Sequence, residues 1–430
     1  MARELVVRGG LVVDATGQRR ADVAVADGAV VAVEPELEPS SDAVVLDAAR
    51  CVVAPGLVDL HTHLREPGRE EAERIESGAR AAALGGYTAV LAMPNTEPAI
   101  DSVAVVRQVL DLGASAVTDV AVAGAITVGR EGERLAPLAE MAALGVRLFT
   151  DDGSGVQDAR LMRRALEYAS VLDVVLAQHC EEARLAAGGQ MHEGEWSSRL
   201  GVPGIPAEAE ELMVHRDISL SRLTGARVHL LHLSTAGSVA LVEAAKTEGL
   251  AVTAEAAPHH LCLTDAEVAG YDTAFKVNPP LRGTADVAAV RAGLASGAID
   301  AIATDHAPHA QEAKEAPFDQ APPGMIGLET ALAVSMTELA DQLPIAAILA
   351  LLSWRPAQIA GLSAEHGGPV APGASANLCV IDPSATWVVD PARSASRSRN
   401  TPFTGRRLTG RARHTVYRGE PVVVDGEAQR

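Results

Sequence analysis

From residue 57 to about residue 339 the chain alternates between two kinds of segment. Short apolar runs read as strands: Thr88–Met93, Val117–Ala123, Gly145–Thr150, Val174–His179, Arg227–His232, Ala251–Ala254 and Ile299–Thr304. Ala-rich stretches between them read as helices: Glu71–Leu84, Ser102–Leu112, Asp158–Tyr168, Ala207–Thr224, Ala236–Glu248, Ala285–Ala295 and Glu329–Leu339. Strand and helix in strict alternation build a parallel sheet, and about eight such units close into a (β/α)8 barrel. An open, doubly wound sheet competes with that arrangement. The barrel is favoured because so many of the strand runs end on polar residues, and barrel enzymes draw their functional groups from the C-terminal ends of several strands. Aromatic residues are only 3% of the chain. The interior must therefore be built from Ala, Val and Leu, which suits buried parallel strands.

The two ends of the chain differ from the middle. Leu5-Val6-Val7, Leu11-Val12-Val13, Val23-Ala24-Val25, Val30–Val33 and Val44-Val45-Leu46 are short β-branched runs separated by Gly-Gly, Ala-Thr-Gly and Asp-Gly turn signals. Past residue 370, Asn377–Ile381, Trp387-Val388-Val389 and Thr415-Val416-Tyr417 look similar, with Gly419-Glu420-Pro421 as a turn. Chain termini commonly lie close together. The expected organisation is a barrel over 55–365 and one small β-sandwich made from 1–54 and 366–430. Ser394–Asn400 is expected to be a surface loop.

The net charge of −20 argues against nucleic acid and anionic membrane as partners. An acidic substrate would need a local cluster of cations. Arg393, Arg397, Arg399, Arg406, Arg407, Arg411 and Arg413 could form one, but solvated surface charge is the simpler reading. Cys51, Cys180, Cys262 and Cys379 are scattered and make neither a disulfide framework nor a thiolate metal site, so a reducing cytoplasm is expected. The opening stretch lacks the apolar core of a secretion signal, and no run of about 18 apolar residues suggests a membrane span.

The polar strand ends carry the chemistry. In Asp59-Leu60-His61-Thr62-His63, residues two apart on a strand face the same side, so His61 and His63 can share one metal ion. An HxH pair alone is weak. However, His179 ends one apolar run, His232 ends another, and Asp305 follows Ala-Ile-Ala-Thr. Four histidines and an aspartate at successive strand ends are hard to explain as isolated buried polar groups. Between His63 and His179, Thr150-Asp151-Asp152 offers a further carboxylate, and the local sequence leaves Asp151 and Asp152 both open. His259, His260 and His306 read as structural or supporting, and His192, His215, His229, His366 and His414 as ordinary.

This order of ligands resembles the amidohydrolase superfamily. The segments DLHTHLREPG, AMPNTEP, FTDDG, HCEE, LHLSTAG, APHHL, KVNPPLR, ATDHAPH and GMIGLET resemble, in order, the dihydroorotase family. Many members of the superfamily bridge two metals with a carboxylated lysine. Here that strand has none, which is similar to a bacterial subset of dihydroorotases with Asp in its place, and the resemblance favours Asp152 over Asp151. The resemblance implies one or two Zn2+ ions held by His61, His63, Asp152, His179, His232 and Asp305. It implies a metal-bound hydroxide as nucleophile, with Asp305 as general acid and base. It further implies that Arg65, Asn95 and His309 grip the substrate α-carboxylate, that Asn278 contacts the ring, and that Gly327 lines the site with backbone groups. The reaction so implied is the reversible cyclisation of N-carbamoyl-L-aspartate to L-dihydroorotate in pyrimidine biosynthesis. Homodimerisation and association with aspartate carbamoyltransferase are partnerships that the resemblance leaves open. Two rival readings are a hydantoinase or allantoinase, which usually carries the lysine and lacks the Arg65/Asn95/His309 clamp, and a non-catalytic partner of aspartate carbamoyltransferase, which would have lost ligands that this chain keeps.

Overall fold

The computed structural model describes residues 4–430. Eight parallel strands form the barrel wall: β6 (Leu57–Thr62), β7 (Tyr87–Ala92), β8 (Asp119–Val122), β9 (Leu148–Thr150), β10 (Val175–Gln178), β13 (Val228–Leu230), β14 (Val252–Ala256) and β15 (Ala301–Ile302). They pair in two runs, β6-β7-β8 and β9-β10-β13-β14-β15. Single parallel bridges, Gly124 to Phe149 and Thr62 to His306, close the two seams. At the second seam the His63 N–H donates to the His306 carbonyl at 2.9 Å, which brings the first and last strand ends together. A main helix follows each strand: residues 75–84, 103–113, 138–142, 159–169, 208–224, 236–247, 284–296 and 331–339; shorter helices at 183–186 and 195–200 come first after β10, and one at 311–314 comes first after β15. Their ends follow local chemistry. Asp158 accepts the Leu161 N–H and caps one helix, while Gly225 and Gly297 end two others with φ of 72° and 83°, where a side chain would be strained. The centre of the barrel is packed with small and aliphatic residues, among them Leu91, Ala123, Leu148, Ala177 and Leu231.

Several strands are shorter than their apolar runs. Beyond Ile302, the Thr304 N–H is bonded to the Asp59 carboxylate at 2.7 Å instead of to a neighbouring strand. Polar side chains thus take over the backbone hydrogen bonding where the barrel opens into its mouth.

Both chain ends join one sheet. Its strands are β1 (Leu5–Asp14), β2 (Gly17–Ala26), β3 (Ala29–Glu34), β4 (Val44–Asp47), β5 (Val52–Pro55), β16 (Leu378–Val388), β17 (Arg407–Tyr417), β18 (Glu420–Val424) and β19 (Glu427–Ala428). The order is β19-β18-β17-β16-β5-β1-β2-β3, with β4 on β1. The ends meet where β5 runs antiparallel to β16, pairing Val53 with Val380. Their apolar faces share a core of Leu5, Val7, Val23, Val53, Val380 and Val416. Gly56 then carries the chain into β6 through a gap where a Cβ would lie 2.1 Å from Thr88 Oγ1. A two-residue ribbon, β11 (Met191–His192) with β12 (Gly204–Ile205), decorates the loop after β10. Among the described residues no helix is long and apolar enough to cross a membrane.

Three expectations are corrected. Gly9-Gly10 is not a turn between strands but an irregularity within β1, where the register slips between Val7 and Gly10. A side chain at Gly10 would meet Val53 Cγ2 at 2.5 Å, so the glycine lets β1 lie close beside its neighbour β5. Glu420 and Pro421 belong to β18, not to the turn before it. Ser394–Asn400 is not a surface loop. Ser396, Ser398 and Asn400 are buried while Arg397 and Arg399 point to solvent, because the serines and the asparagine bond to the barrel mouth.

Candidate active site

Six side chains from five strand ends converge at the mouth. Asp152 stands at their centre. Its Oδ1 lies 3.3 Å from His61 Nε2, 3.5 Å from His179 Nδ1 and 3.7 Å from His232 Nε2, and its Oδ2 lies 3.6 Å from His63 Nε2. His179 Nδ1 and His232 Nε2 are 2.9 Å apart. Asp305 Oδ1 is 3.3 Å from His63 Nε2 and 3.6 Å from His61 Nε2. Two groups able to hold a metal ion result, His61/His63/Asp152 and Asp152/His179/His232, with Asp152 common to both. A tetrahedral ion with bonds of about 2.0–2.1 Å separates its donors by roughly 3.3 Å, and the spacings observed bracket that value. All six residues are buried, and His61 Nε2 has no hydrogen-bond partner. Such an atom is costly unless something binds it.

The electrostatics agree. Burial raises the pKa of a carboxylate, yet His61 and its neighbours outweigh it and hold both Asp152 and Asp305 well below the usual range. Burial opposes charge on His61, but Asp152, Asp305 and Glu255 push its pKa well above the ordinary value. Ionised carboxylates packed with imidazoles in a dry site are prepared for a divalent cation. Backbone strain gathers here too. Arg65, His232 and Asp305 have φ of 61°, 32° and 47°. Non-glycine residues persist in that region only where the surrounding structure holds them.

Supporting contacts set which ring nitrogen faces inward. His61 Nδ1–H donates to Glu255 Oε1 at 2.9 Å, and Glu255 Oε2 accepts from His229 Nε2 at 3.0 Å. His229 in turn meets Thr253 Oγ1 at 2.8 Å. His63 Nδ1–H donates to Asn95 Oδ1 at 2.9 Å. Histidines that bind metal are usually oriented in this way. His229 is therefore not an ordinary histidine, and Glu255 is a functional residue that the sequence reading missed. Its one signal is a glutamate closing the apolar run Ala251–Ala254. Asp151 is occupied elsewhere: it accepts the Ile126 and Thr127 N–H groups at 2.8 and 3.0 Å and the Thr127 hydroxyl. Asp59, buried beside Thr304, has a pKa raised by burial to about 6.

Of the residues expected to meet substrate, Asn95 bonds His63, and Arg65 and His309 lie near the cluster. Arg65 is buried and donates Nε to the Pro308 carbonyl at 3.1 Å. Burial and the charge of Arg69 lower its pKa to about 10, so it stays cationic at neutral pH. His309 Nε2–H donates to the Pro323 carbonyl at 2.8 Å, and burial with the nearby Arg65 brings its pKa down to about 3. Asn278 Oδ1 and His259 Nε2 are buried without partners. Gly327 does not line the site with free backbone groups as expected: its N–H is spent on His306 Nδ1 at 3.1 Å, and its carbonyl accepts the Thr330 and Ala331 N–H groups at 3.0 and 2.9 Å at the start of the following helix. Arg130, unremarked in the sequence, donates Nη2 to the Asp152 carbonyl at 2.6 Å.

A (β/α)8 barrel whose mouth carries two such His/Asp clusters, flanked by a sheet from both chain ends, defines a hydrolase of the amidohydrolase superfamily. A model described as dihydro-orotase-like matches residues 50–238. A dihydroorotase of Pelotomaculum thermopropionicum is 49% identical over 98% of this chain and 99% of its own length. One from Streptomyces coelicolor is 51% identical over 93% and 95% respectively, and one from Mycobacterium tuberculosis 49% over 95% and 96%. The chain belongs to the dihydroorotase family. Among solved structures, an L-hydantoinase from Arthrobacter aurescens matches with a TM-score of 0.89 and 25% identity, covering 100% of this chain and 98% of that one. A dihydropyrimidinase from Brevibacillus agri matches with a TM-score of 0.85 at 22% identity, covering 99% and 96%, a likeness of fold.

Proposed function

We propose that this chain is a dihydroorotase, which interconverts N-carbamoyl-L-aspartate and L-dihydroorotate in pyrimidine biosynthesis. The observation that carries the reading is Asp152, shared by two histidine pairs, with the buried cation Arg65 close enough to feel both Asp152 and Asp305. His61, His63, Asp152, His179, His232 and Asp305 would hold one or two divalent ions, zinc by the chemistry of the donor set. An ion so held would lower the pKa of a bound water from 15.7 to about 7 and polarise a carbonyl.

The chain's own residues do the rest. Arg65 Nε is occupied by Pro308, so Nη1 and Nη2 remain for a two-pronged grip on the substrate carboxylate. Asn95 joins this grip through the amide nitrogen that His63 does not use. His309 is neutral before substrate arrives, and an anion docking beside it favours the imidazolium, so that Nδ1 can donate while Nε2 stays on Pro323. Asn278 offers its unpartnered Oδ1 to a ring N–H. Asp305 turns Oδ1 toward the two imidazoles. In hydrolysis its Oδ2 takes the proton of the attacking water and passes it to the leaving ring nitrogen, and in synthesis the same atom works in reverse. The division at 1–54, 55–365 and 366–430, a cytoplasmic location, a homodimer and an association with aspartate carbamoyltransferase belong to the same reading.

The test is turnover of dihydroorotate by purified protein, followed by ring absorbance, with metal content measured on the same sample. Zinc-dependent turnover supports the proposal. A metal-loaded protein that ignores dihydroorotate and opens hydantoin would overturn the carboxylate clamp.

A further inference from the structure

The two loops that shape the substrate side of the mouth have little regular structure of their own. One, residues 305–309, carries Asp305 and His309; the other, 322–327, supplies the Pro323 carbonyl that orients His309. Binding residues on loops need a scaffold that holds them in place. The two loops touch directly where the Ala307 N–H donates to the Met325 carbonyl at 2.7 Å, and the nearby Lys314 Nζ donates to the Pro322 and Gly324 carbonyls at 2.9 and 3.2 Å. Further bonds come from far away in sequence. Asn400 Nδ2 donates to both the Ala307 and the Gly324 carbonyls at 3.0 Å, and Asn400 Oδ1 accepts the His309 N–H at 3.3 Å. The Asn400 carbonyl accepts the Ile326 N–H at 3.1 Å. Both amide N–H donors and the amide oxygen are thus turned to the two loops, and the residue is only 7% exposed. Ser398 Oγ lies 2.8 Å from the His309 carbonyl and 2.8 Å from that of Ala72. Ser396 bonds to Glu73, which also meets His306 Nε2 at 3.3 Å.

We propose that Asn400, on the segment that returns from the β-sheet of the chain ends, is a positioning residue for substrate binding: it locks the 305–309 and 322–327 loops together so that His309 meets the substrate carboxylate. This rests on the reading of His309 as a carboxylate ligand. The second domain therefore completes the binding wall of the barrel.

Asn400→Ala removes all three side-chain bonds. It is expected to raise KM for dihydroorotate roughly tenfold, the effect of losing one to two net hydrogen bonds, while kcat falls less and metal content stays at the parent value. Asn400→Asp turns carboxylate oxygens toward the two loop carbonyls and should raise KM further. In a cycle with His309→Ala, the double variant should bind no worse than His309→Ala alone. Equal KM in Asn400→Ala and the parent, or additive effects in the cycle, would overturn the inference. If His309→Ala itself leaves KM unchanged, the reading of His309 falls, and that result is distinct from a failure of Asn400 alone. Should Asn400→Ala not fold, Ser398→Ala applies the same test with an expected rise of about threefold.

Discussion

Replacing Glu255 with glutamine should loosen metal binding about tenfold while leaving the barrel folded. Glu255 is wholly buried and joins His61 to His229 through bonds of 2.9 and 3.0 Å. Burial alone would raise its pKa, but the two histidines bring it down to about 2, so it is an anion at any working pH. Glutamine has nearly the same shape, so no cavity opens. Its oxygen still accepts from His61 Nδ1, and its amide can face His229 once that ring moves its proton to the side of Thr253. What disappears is the charge. A hydrogen bond to an ionised group contributes about 1.5–3 kcal/mol and a neutral one about 0.5–1.5 kcal/mol. The difference at His61, about 1–1.5 kcal/mol, is roughly a factor of ten in affinity. Changes to such supporting residues typically cost about 10–100-fold. The assay titrates zinc-loaded parent and variant with a competing chelator and reads metal retained per chain, with a thermal melt as the control for folding. A variant that gives up its metal at the same chelator concentration as the parent would refute the claim that Glu255 acts through His61.

Other perturbations probe different parts of the site. Asp152→Ala removes the one carboxylate common to both metal-binding groups, so elemental analysis should find most of the metal gone and turnover with it; full occupancy would exclude Asp152 as the bridge. Arg65→Ala should raise KM for dihydroorotate roughly 10–100-fold, the value of a charge-assisted pair, with metal retained, and Arg65→Lys should recover only part because it lacks the fork. The acid limb of stability should carry a signature of His309. Its folded pKa of about 3 lies below the unfolded value near 6.5, so unfolding takes up a proton. That contribution is complete above about pH 6.5 and is lost as the pH falls toward 3. His309→Asn should therefore flatten the fall in melting temperature between pH 7 and pH 5 relative to the parent, and an unchanged fall would show that His309 is not held neutral.

Much of this molecule follows from local pattern. Strand and helix periods are short-range properties, so the alternation from 57 to 339 declared a barrel, and β-branched runs at both ends declared a second sheet. The spacing of His61 and His63 put them on one face because strand side chains repeat every two residues. His179, His232 and Asp305 stand out at the ends of apolar runs for the same reason, and each of them lies in the cluster at the mouth. What local pattern cannot carry is the partner of a polar group. Asp151 and Asp152 are adjacent carboxylates with the same neighbours in sequence. Only the closed barrel turns one toward four imidazoles and gives the other to the Ile126 and Thr127 amides. His229 and Glu255 sit on neighbouring strands 26 residues apart, and their bond exists because β13 and β14 are in register. Gly9-Gly10 has the composition of a turn, and the closeness of β5 makes it an irregularity within one strand. Ser394–Asn400 has the composition of a solvated loop. Its buried state depends on carbonyls of loops dozens of residues away, which offer hydrogen bonds only after the chain has closed around them.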